Sequence, residues 1–288
     1  MINLVPETIK LLHVEASSKC NAWCPACARN NNGFGLDSNL VEQDLSTSRF
    51  TEILEKLPNL ETIQFCGNLG DPIAGKNILA LLDAAITTGA KIQIHTNGGL
   101  RSKQWWVNLA GKLKNVPHDV WFGIDGLEGV HEIYRQGTTY KKVVDNATAF
   151  IDAGGFATWQ FIPFDHNEHQ VKDCLKESQR LGFKKFKFVK LFRNKTQAYH
   201  HKTGKSFILN PPKEFQQLVR LYNDKHKEVK PENCMHSSIP SIYLNANGKL
   251  SHCCYKSFQS FNNFDNLNDL LYNKADLTQK ICLLSCGT

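Results

Sequence analysis

Three cysteines lie within eight positions near the start of the chain, at Cys20, Cys24 and Cys27. A structural zinc ion usually takes four protein ligands, and so does a cubane iron–sulfur cluster that is bound only by protein. The loop is therefore one ligand short, which leaves two interpretations open. Either it belongs to a zinc or ferredoxin-type site, or it holds a cluster that leaves one iron open to another molecule.

A second group of five cysteines follows near the other end of the chain, at Cys234, Cys253, Cys254, Cys282 and Cys286. The N-terminus has no basic segment followed by an apolar one, so no secretory signal is visible and we expect a cytoplasmic protein. The cytosol keeps thiols reduced, and clustered cysteines there more often bind metal than form disulfides. The sequence therefore predicts two metal-binding regions.

The overall composition is ordinary for a globular protein, with 288 residues, 41% of them hydrophobic and 21% charged. No apolar run reaches the ~18 residues that a membrane helix needs, so no membrane association is predicted. The net charge of +7 permits an anionic partner. The basic stretches at 183–195 and 223–230 are interpreted mainly as solvated faces and helix ends, with nucleic-acid or phosphate binding as the alternative. Nothing in the sequence resembles a nucleic-acid-binding module.

Roughly six strand–helix units are predicted in succession, with six strands and five intervening helices between residues 10 and 192. The predicted strands are 10–17, 61–66, 91–98, 119–126, 157–164 and 184–192, and the predicted helices are 46–57, 77–89, 102–113, 139–155 and 167–182. Such alternation calls for a parallel sheet covered by helices. Six units predict an α/β fold of the open, partial (β/α)6 TIM-like barrel type, whose functional loops follow the strands.

The pattern of strands and helices changes after about residue 193. Residues 194–212 read as a linker or long loop, and residues 212–229 as one more helix. A hairpin is predicted over 241–253, because two strand-like runs flank Asn247 and Gly248. The predicted division is a barrel over 1–195, a linker and helix over 196–230, and a small cysteine-rich domain over 231–288.

Four segments that follow predicted strands together resemble the radical S-adenosylmethionine (SAM) enzymes. They are "CNAWCPAC" (20–27), "FCGNLGDPI" (65–73), "HTNGG" (95–99) and "GIDGLEGVHEIYRQG" (123–137). The resemblance implies that the three cysteines hold a [4Fe–4S] cluster whose fourth iron binds SAM. Reductive cleavage of SAM then yields a 5′-deoxyadenosyl radical that abstracts hydrogen from a substrate.

The resemblance also implies a set of residues that bind SAM. These are Gly67, Asn68, Gly70, Asp71, Thr96, Asn97, Asp125 and Arg135. By that match Asp71 contacts the SAM amino group and Arg135 its carboxylate, for which a guanidinium is well shaped. The alternative for Asp71 is a turn that starts at Asp-Pro, and the alternative for Arg135 is an exposed helix salt bridge. Three departures are visible, since Asp71 replaces the usual Glu, Gly123 a Ser, and Ala26 a bulky residue.

The C-terminal cysteines resemble the SPASM/twitch extension of the same enzymes, because Cys234-x13-Gly248-x4-Cys253 matches its opening. The resemblance implies a twitch domain that holds an auxiliary [4Fe–4S] cluster. Its ligands are assigned as Cys234, Cys253, Cys282 and Cys286, with Cys254 competing with Cys253. A zinc ion bound by the same four thiolates is the alternative.

The sequence thus predicts a radical SAM enzyme that oxidises, dehydrogenates or cross-links a small molecule or short peptide. The auxiliary cluster would accept an electron or anchor the substrate, and a flavodoxin- or ferredoxin-type protein would supply electrons. Asp125, His95 and His166 are candidate bases, none of them distinguished by the sequence. A non-catalytic iron–sulfur or zinc protein is the alternative from another class.

Overall fold

The structure is a computed structural model that describes residues 5–189, 196–213, 239–254 and 263–272. The chain divides into two compact units. The first consists of Met1–Lys19, Glu42–Ile94 and His226–Thr288, and the second of Cys20–Val41 and His95–Lys225. Cys20, Cys24 and Cys27 therefore belong to the second unit, whereas Cys253 and Cys254 belong to the first.

The main sheet has eight strands. In the first unit β1 (Leu11–Val14) pairs in parallel with both β2 (Thr62–Phe65) and β9 (Ser241–Leu244). Strand β2 also pairs in parallel with β3 (Lys91–Thr96), and β9 in antiparallel with β10 (Leu250–Ser251). The predicted α/β fold and the predicted hairpin at 241–253 are confirmed.

In the second unit β5 (Ala157–Phe161) lies between two parallel neighbours in the sheet, β4 (His118–Gly123) and β6 (Lys185–Phe188). The helices of the chain are α1 (Thr47–Glu55), α2 (Ile78–Ile86), α3 (Lys103–Leu113), α4 (His131–Tyr134), α5 (Tyr140–Asp152), α6 (Val171–Arg180) and α7 (Leu267–Tyr272). No described helix is long and apolar enough to cross a membrane.

Three of these helices begin where the sequence predicts, because a hydroxyl side chain caps each one. The side chains of Ser46, Ser102 and Thr139 each accept a hydrogen bond from the backbone N–H three residues on. Such a bond satisfies one of the amides that the first turn of a helix leaves without a partner.

The core of the second unit lies between its sheet and helices α3 and α5. The ring of Phe122 in β4 lies 5.0 Å from Trp106 of α3 and 6.1 Å from Phe150 of α5, measured between centroids. Side chains alternate along a strand. Trp121 and Gly123 therefore point to the opposite face of β4, away from these helices.

The structure differs from the predicted long loop at 194–212. An antiparallel hairpin occupies most of it, formed by β7 (Thr196–Tyr199) and β8 (Ser206–Leu209). The turn contains Gly204 at φ +66°, a conformation that glycine adopts without strain. The helix predicted over 212–229 lies almost wholly outside the described residues.

Candidate functional site

The three N-terminal cysteines share one loop of the second unit. Cys24 is buried, whereas Cys20 and Cys27 are partly exposed. The buried side chain of Asn30 stabilises this loop by donating to the backbone carbonyls of Ala22 and Cys24, at 3.4 and 3.2 Å. Burial raises the pKa of the Cys24 thiol to about 11, and the nearby Arg135 acts in the opposite direction.

The residues that follow β3 contact the cysteine loop directly. The amide nitrogen Nδ2 of Asn97 lies 2.9 Å from Asn21 Oδ1 and 3.5 Å from Cys20 Sγ. The turn around Asn97 is fixed by two local bonds, from Gly98 N to Thr96 Oγ1 and from Gly99 N to Asn97 Oδ1. Asn97 and Thr96, both predicted SAM contacts, are buried, and Asn97 contacts the first cysteine.

The segment that follows β4 contacts the same loop at Cys24. Arg135 Nε lies 2.6 Å from Asp125 Oδ2, in an ion pair whose carboxylate is completely buried. Arg135 Nη1 lies 3.9 Å from Cys24 Sγ. Asp125 Oδ1 also accepts from Ile162 N at 2.6 Å. The helix-surface ion pair considered from the sequence is therefore a buried one, and its partner is the other predicted SAM contact of this segment.

Burial and mutual charge act in opposite directions on this pair. Burial raises the pKa of the Asp125 carboxyl, and the guanidinium of Arg135 opposes that rise. The same carboxylate, with Cys24, raises the pKa of Arg135 against the effect of its own burial. Asp125 is consequently an orienting group for Arg135 in this structure.

Two further residues of the second unit hold the cysteine loop and were not predicted. The backbone of Trp23 donates to the carbonyl of Gln136 at 2.6 Å, and its ring stacks on His201 with 5.4 Å between centroids. Gln136 Oε1 accepts from the backbone N–H of His201 at 2.9 Å. Gln136 lies directly after Arg135 in a motif that the sequence singled out, which is the signal that could have indicated it.

The two candidate histidine bases are half-buried, and their lowered pKa values leave them neutral near pH 7. The ring of His95 stacks on Trp121, 4.5 Å between centroids, and its Nδ1 lies 3.3 Å from Gln160 Oε1. Burial lowers the pKa of His95 to about 4, and that of His166 also to about 4. Both rings can therefore accept a proton, although weakly.

In the first unit, the loop that follows β2 is organised by Glu15, a buried residue just after β1. Glu15 Oε1 accepts from the backbone amides of Leu69 and Gly70, at 2.6 and 3.2 Å. Its Oε2 accepts from the Tyr243 hydroxyl at 2.9 Å. No role for Glu15 is predicted from the sequence, although a lone acidic residue in an apolar strand is a signal of a buried polar contact.

The two predicted glycines of this loop are required by close backbone approach. A Cβ at Gly67 would meet the carbonyl oxygen of Gly70, and a Cβ at Gly70 would meet that of Ser17. Asp71 lies at the end of the loop, where its Oδ1 accepts from Ile73 N at 2.9 Å and caps a short 3-10 helix. The turn interpretation of Asp71 is thus present in the structure.

The same loop contacts the C-terminal cysteine pair. Asn68 Nδ2 donates to the backbone carbonyl of Cys254 at 2.7 Å. Cys253 and Cys254 are both buried, and the Ser251 hydroxyl donates to the Cys253 carbonyl at 3.2 Å. The other predicted auxiliary ligands, Cys234, Cys282 and Cys286, lie outside the described residues.

The three N-terminal thiols suit an iron–sulfur cluster, in which each thiolate binds a different iron. Within the described part of the chain, no three His, Cys, Asp or Glu side chains converge on a point that one metal ion could occupy. Cluster ligation does not require such convergence, since each thiolate binds a different iron. Two sulfurs of the loop also receive N–H donors from outside it, Cys20 from Asn97 and Cys24 from Arg135, as cluster sulfurs commonly do.

Comparison with solved structures identifies the class of fold. A mixed α/β fold built on a largely parallel sheet is shared with radical SAM enzymes that carry SPASM/twitch domains. No family model matches the sequence, and no curated protein matches it. The predicted resemblance is thus confirmed for the fold.

Two of these enzymes are SuiB from Streptococcus suis and anSMEcpe. SuiB bound to S-adenosylmethionine has a TM-score of 0.68 and 14% identity, over 97% of this chain and 71% of SuiB. SuiB bound to its precursor peptide SuiA has a TM-score of 0.63 and 15% identity, over 97% and 70%. Native anSMEcpe with bound AdoMet has a TM-score of 0.62 and 16% identity, over 95% and 81%.

Proposed function

We propose that this protein is a radical SAM enzyme. The observation that carries the proposal is that two separate motif segments contact the cysteine loop, Asn97 at Cys20 and Arg135 at Cys24. The segments that follow β3 and β4 are therefore assembled around three thiols that are one ligand short. Such an arrangement suits a site completed by a small molecule.

In this proposal Cys20, Cys24 and Cys27 bind a [4Fe–4S] cluster. When bound, the cluster and SAM together supply one-electron reduction and a hydrogen-abstracting 5′-deoxyadenosyl radical. The chain itself binds, orients and shields this chemistry. The backbone and side chains proposed to bind SAM are those of Gly67, Asn68, Gly70, Asp71, Thr96, Asn97, Asp125 and Arg135.

The chain's own groups divide the remaining tasks. Asp125 is held by Arg135 and by the amide of Ile162, so we assign it to orientation and not to proton transfer. His95 is neutral at pH 7 and is the better placed of the histidines to take a proton, because it lies at the end of β3 beside the Asn97 turn. A proton must be taken up if the reaction is an oxidation.

We further propose that the C-terminal cysteines hold an auxiliary [4Fe–4S] cluster, with Cys234, Cys253, Cys282 and Cys286 as ligands. Its role would be to accept an electron or to anchor the substrate. Within the peptide and small-molecule classes, the likeness to SuiB bound to a precursor peptide favours a peptide. We propose a cytoplasmic enzyme that receives electrons from a flavodoxin- or ferredoxin-type protein.

Anaerobic reconstitution with iron and sulfide tests this function. The protein should bind about eight irons, and with dithionite it should convert SAM to 5′-deoxyadenosine and methionine. The variant Cys24→Ala should lose cleavage and retain about four irons in the auxiliary site. The variant Cys174→Ala is the matched control, since Cys174 is a buried cysteine of helix α6.

Two results would contradict the proposal. Iron uptake without SAM cleavage would indicate a non-catalytic iron–sulfur protein, used for electron transfer or partner binding. Binding of zinc in preference to iron would indicate a structural zinc site. Loss of all iron in Cys24→Ala would contradict the independent auxiliary cluster alone.

A further inference from the structure

Gly123 is the last residue of β4, and the absence of a side chain there leaves room for Arg135. A Cβ built at Gly123 would lie 2.7 Å from Arg135 Nη2, 2.9 Å from Cζ and 3.3 Å from Nη1. These are the three nearest atoms outside its own neighbours, and all belong to one guanidinium. Real Cβ atoms essentially never approach other heavy atoms closer than 3.0 Å. Any larger residue at position 123 would therefore displace this group.

The guanidinium is held in place from other sides as well. Its Nε donates to Asp125 Oδ2 at 2.6 Å, and its Cζ lies 5.5 Å from the centre of the Tyr134 ring. Asp125 is in turn fixed by Ile162 N and by the bond from Asn167 Nδ2 to its backbone carbonyl, at 3.0 Å. The one contact left to Nη1 among those the structure gives is Cys24 Sγ at 3.9 Å.

We propose that Arg135 directs a guanidinium N–H at the sulfur of Cys24. Asp125 orients the guanidinium by binding its Nε, and Gly123 leaves the space that the guanidinium occupies. Arg135 is then a positioning residue for a cluster ligand, in addition to any contact with SAM. Hydrogen bonds and positive charge at a ligand sulfur stabilise the reduced, more negative cluster and raise its reduction potential. The inference rests on the proposed function, because it assumes that Cys24 is a cluster ligand.

The inference is tested by the midpoint potential of the N-terminal cluster, measured by redox titration with EPR detection. The protein carrying only that cluster is obtained by Cys253→Ala in every sample. We expect Arg135→Gln to shift the potential to a more negative value. We expect Gly123→Ala to shift it in the same direction, because the added methyl group displaces the guanidinium while the arginine is still present.

The double variant distinguishes a shared mechanism from two independent ones. If Gly123 acts through Arg135, Gly123→Ala combined with Arg135→Gln should have the potential of Arg135→Gln alone. Additive shifts, or no shift in either single variant, would overturn the inference. Gly111→Ala and Arg180→Gln are matched controls, since a Cβ at Gly111 meets nothing within 4 Å and Arg180 is exposed.

A second measurement does not need the cluster. In the apoprotein, Gly123→Ala should lower the thermal midpoint in the wild-type background and lower it less in the Arg135→Gln background, where the space has been vacated. Equal losses in both backgrounds would overturn the packing relationship. A wild-type protein that binds no iron would refute the proposed function and, with it, the role at Cys24, whereas unchanged potentials in loaded variants would refute this inference alone.

Discussion

The carboxyl group of Glu15 accepts a hydrogen bond from the Tyr243 hydroxyl at 2.9 Å, and both side chains are almost completely buried. The two residues are 228 positions apart in the chain. The same carboxyl group holds the backbone of Leu69 and Gly70. A single buried acid thus joins strand β9 to the glycine-rich loop proposed to bind SAM.

The first prediction concerns this hydroxyl. We expect Tyr243→Phe to lower the free energy of unfolding by about 1–3 kcal/mol, because a buried carboxyl oxygen loses its donor. Urea denaturation of the apoprotein measures the change. Tyr272→Phe is the control, since Tyr272 is 89% exposed and should change stability little. Equal effects of the two substitutions would contradict a structural role for the Tyr243 hydroxyl.

The second prediction concerns the close approach at Gly70. We expect Gly70→Ala to cost about 1–3 kcal/mol of stability and to weaken SAM binding, since the added Cβ would displace the Ser17 backbone. Gly111→Ala, within helix α3, should instead stabilise by roughly 0.5–1 kcal/mol. Calorimetric SAM titration and urea denaturation measure the two quantities. Unchanged SAM affinity in Gly70→Ala would contradict the proposal that this loop binds SAM.

The third prediction is a pH dependence of stability. The pKa of His95 is about 4 in the folded protein and 6.5 as a free side chain. Between these pH values His95 is protonated in the unfolded chain but not in the folded protein. The free energy of unfolding therefore decreases as the pH falls from about 6.5 to about 4. The contribution of His95 is of the order of 3 kcal/mol.

Urea denaturation at several pH values tests this dependence. His95→Gln should reduce the slope of unfolding free energy against pH in that window, because glutamine does not take up a proton on unfolding. His131 and His166, whose pKa values burial lowers to about 3 and about 4, should maintain the remaining slope. His169→Gln, at an exposed position, is the matched control. An unchanged slope in His95→Gln would contradict the lowered pKa of His95.

The fourth prediction separates the adjacent cysteines Cys253 and Cys254. We expect Cys253→Ala to lose about four irons and the auxiliary EPR signal, and Cys254→Ala to retain both. The spacing from Gly248 favours Cys253 as the ligand. Cys254→Ala should leave the local structure intact, because the hydrogen bond from Asn68 goes to the backbone carbonyl of residue 254. The reverse result would make Cys254 the ligand.

The sequence predicts the order of elements well because their signals are local. Hydroxyl caps at Ser46, Ser102 and Thr139 and the alternation of apolar residues need no knowledge of distant segments. The sequence predicts a long loop in place of the hairpin of β7 and β8, because each strand has only four residues and the segment that joins them is polar. The parallel pairing of β9 with β1 was also not predicted, because no local pattern specifies which distant strand a strand will join.

The sequence by itself determined which residues could do chemistry: three cysteines in eight positions, and motif segments placed after successive strands. Only the tertiary structure decided what those residues contact. It paired Arg135 with Asp125 and directed it at Cys24, set Glu15 against the 67–70 loop, and gave Gly123 its role as the space that a guanidinium fills. Such contacts depend on burial and on chain segments far apart in sequence, for which no periodic pattern exists.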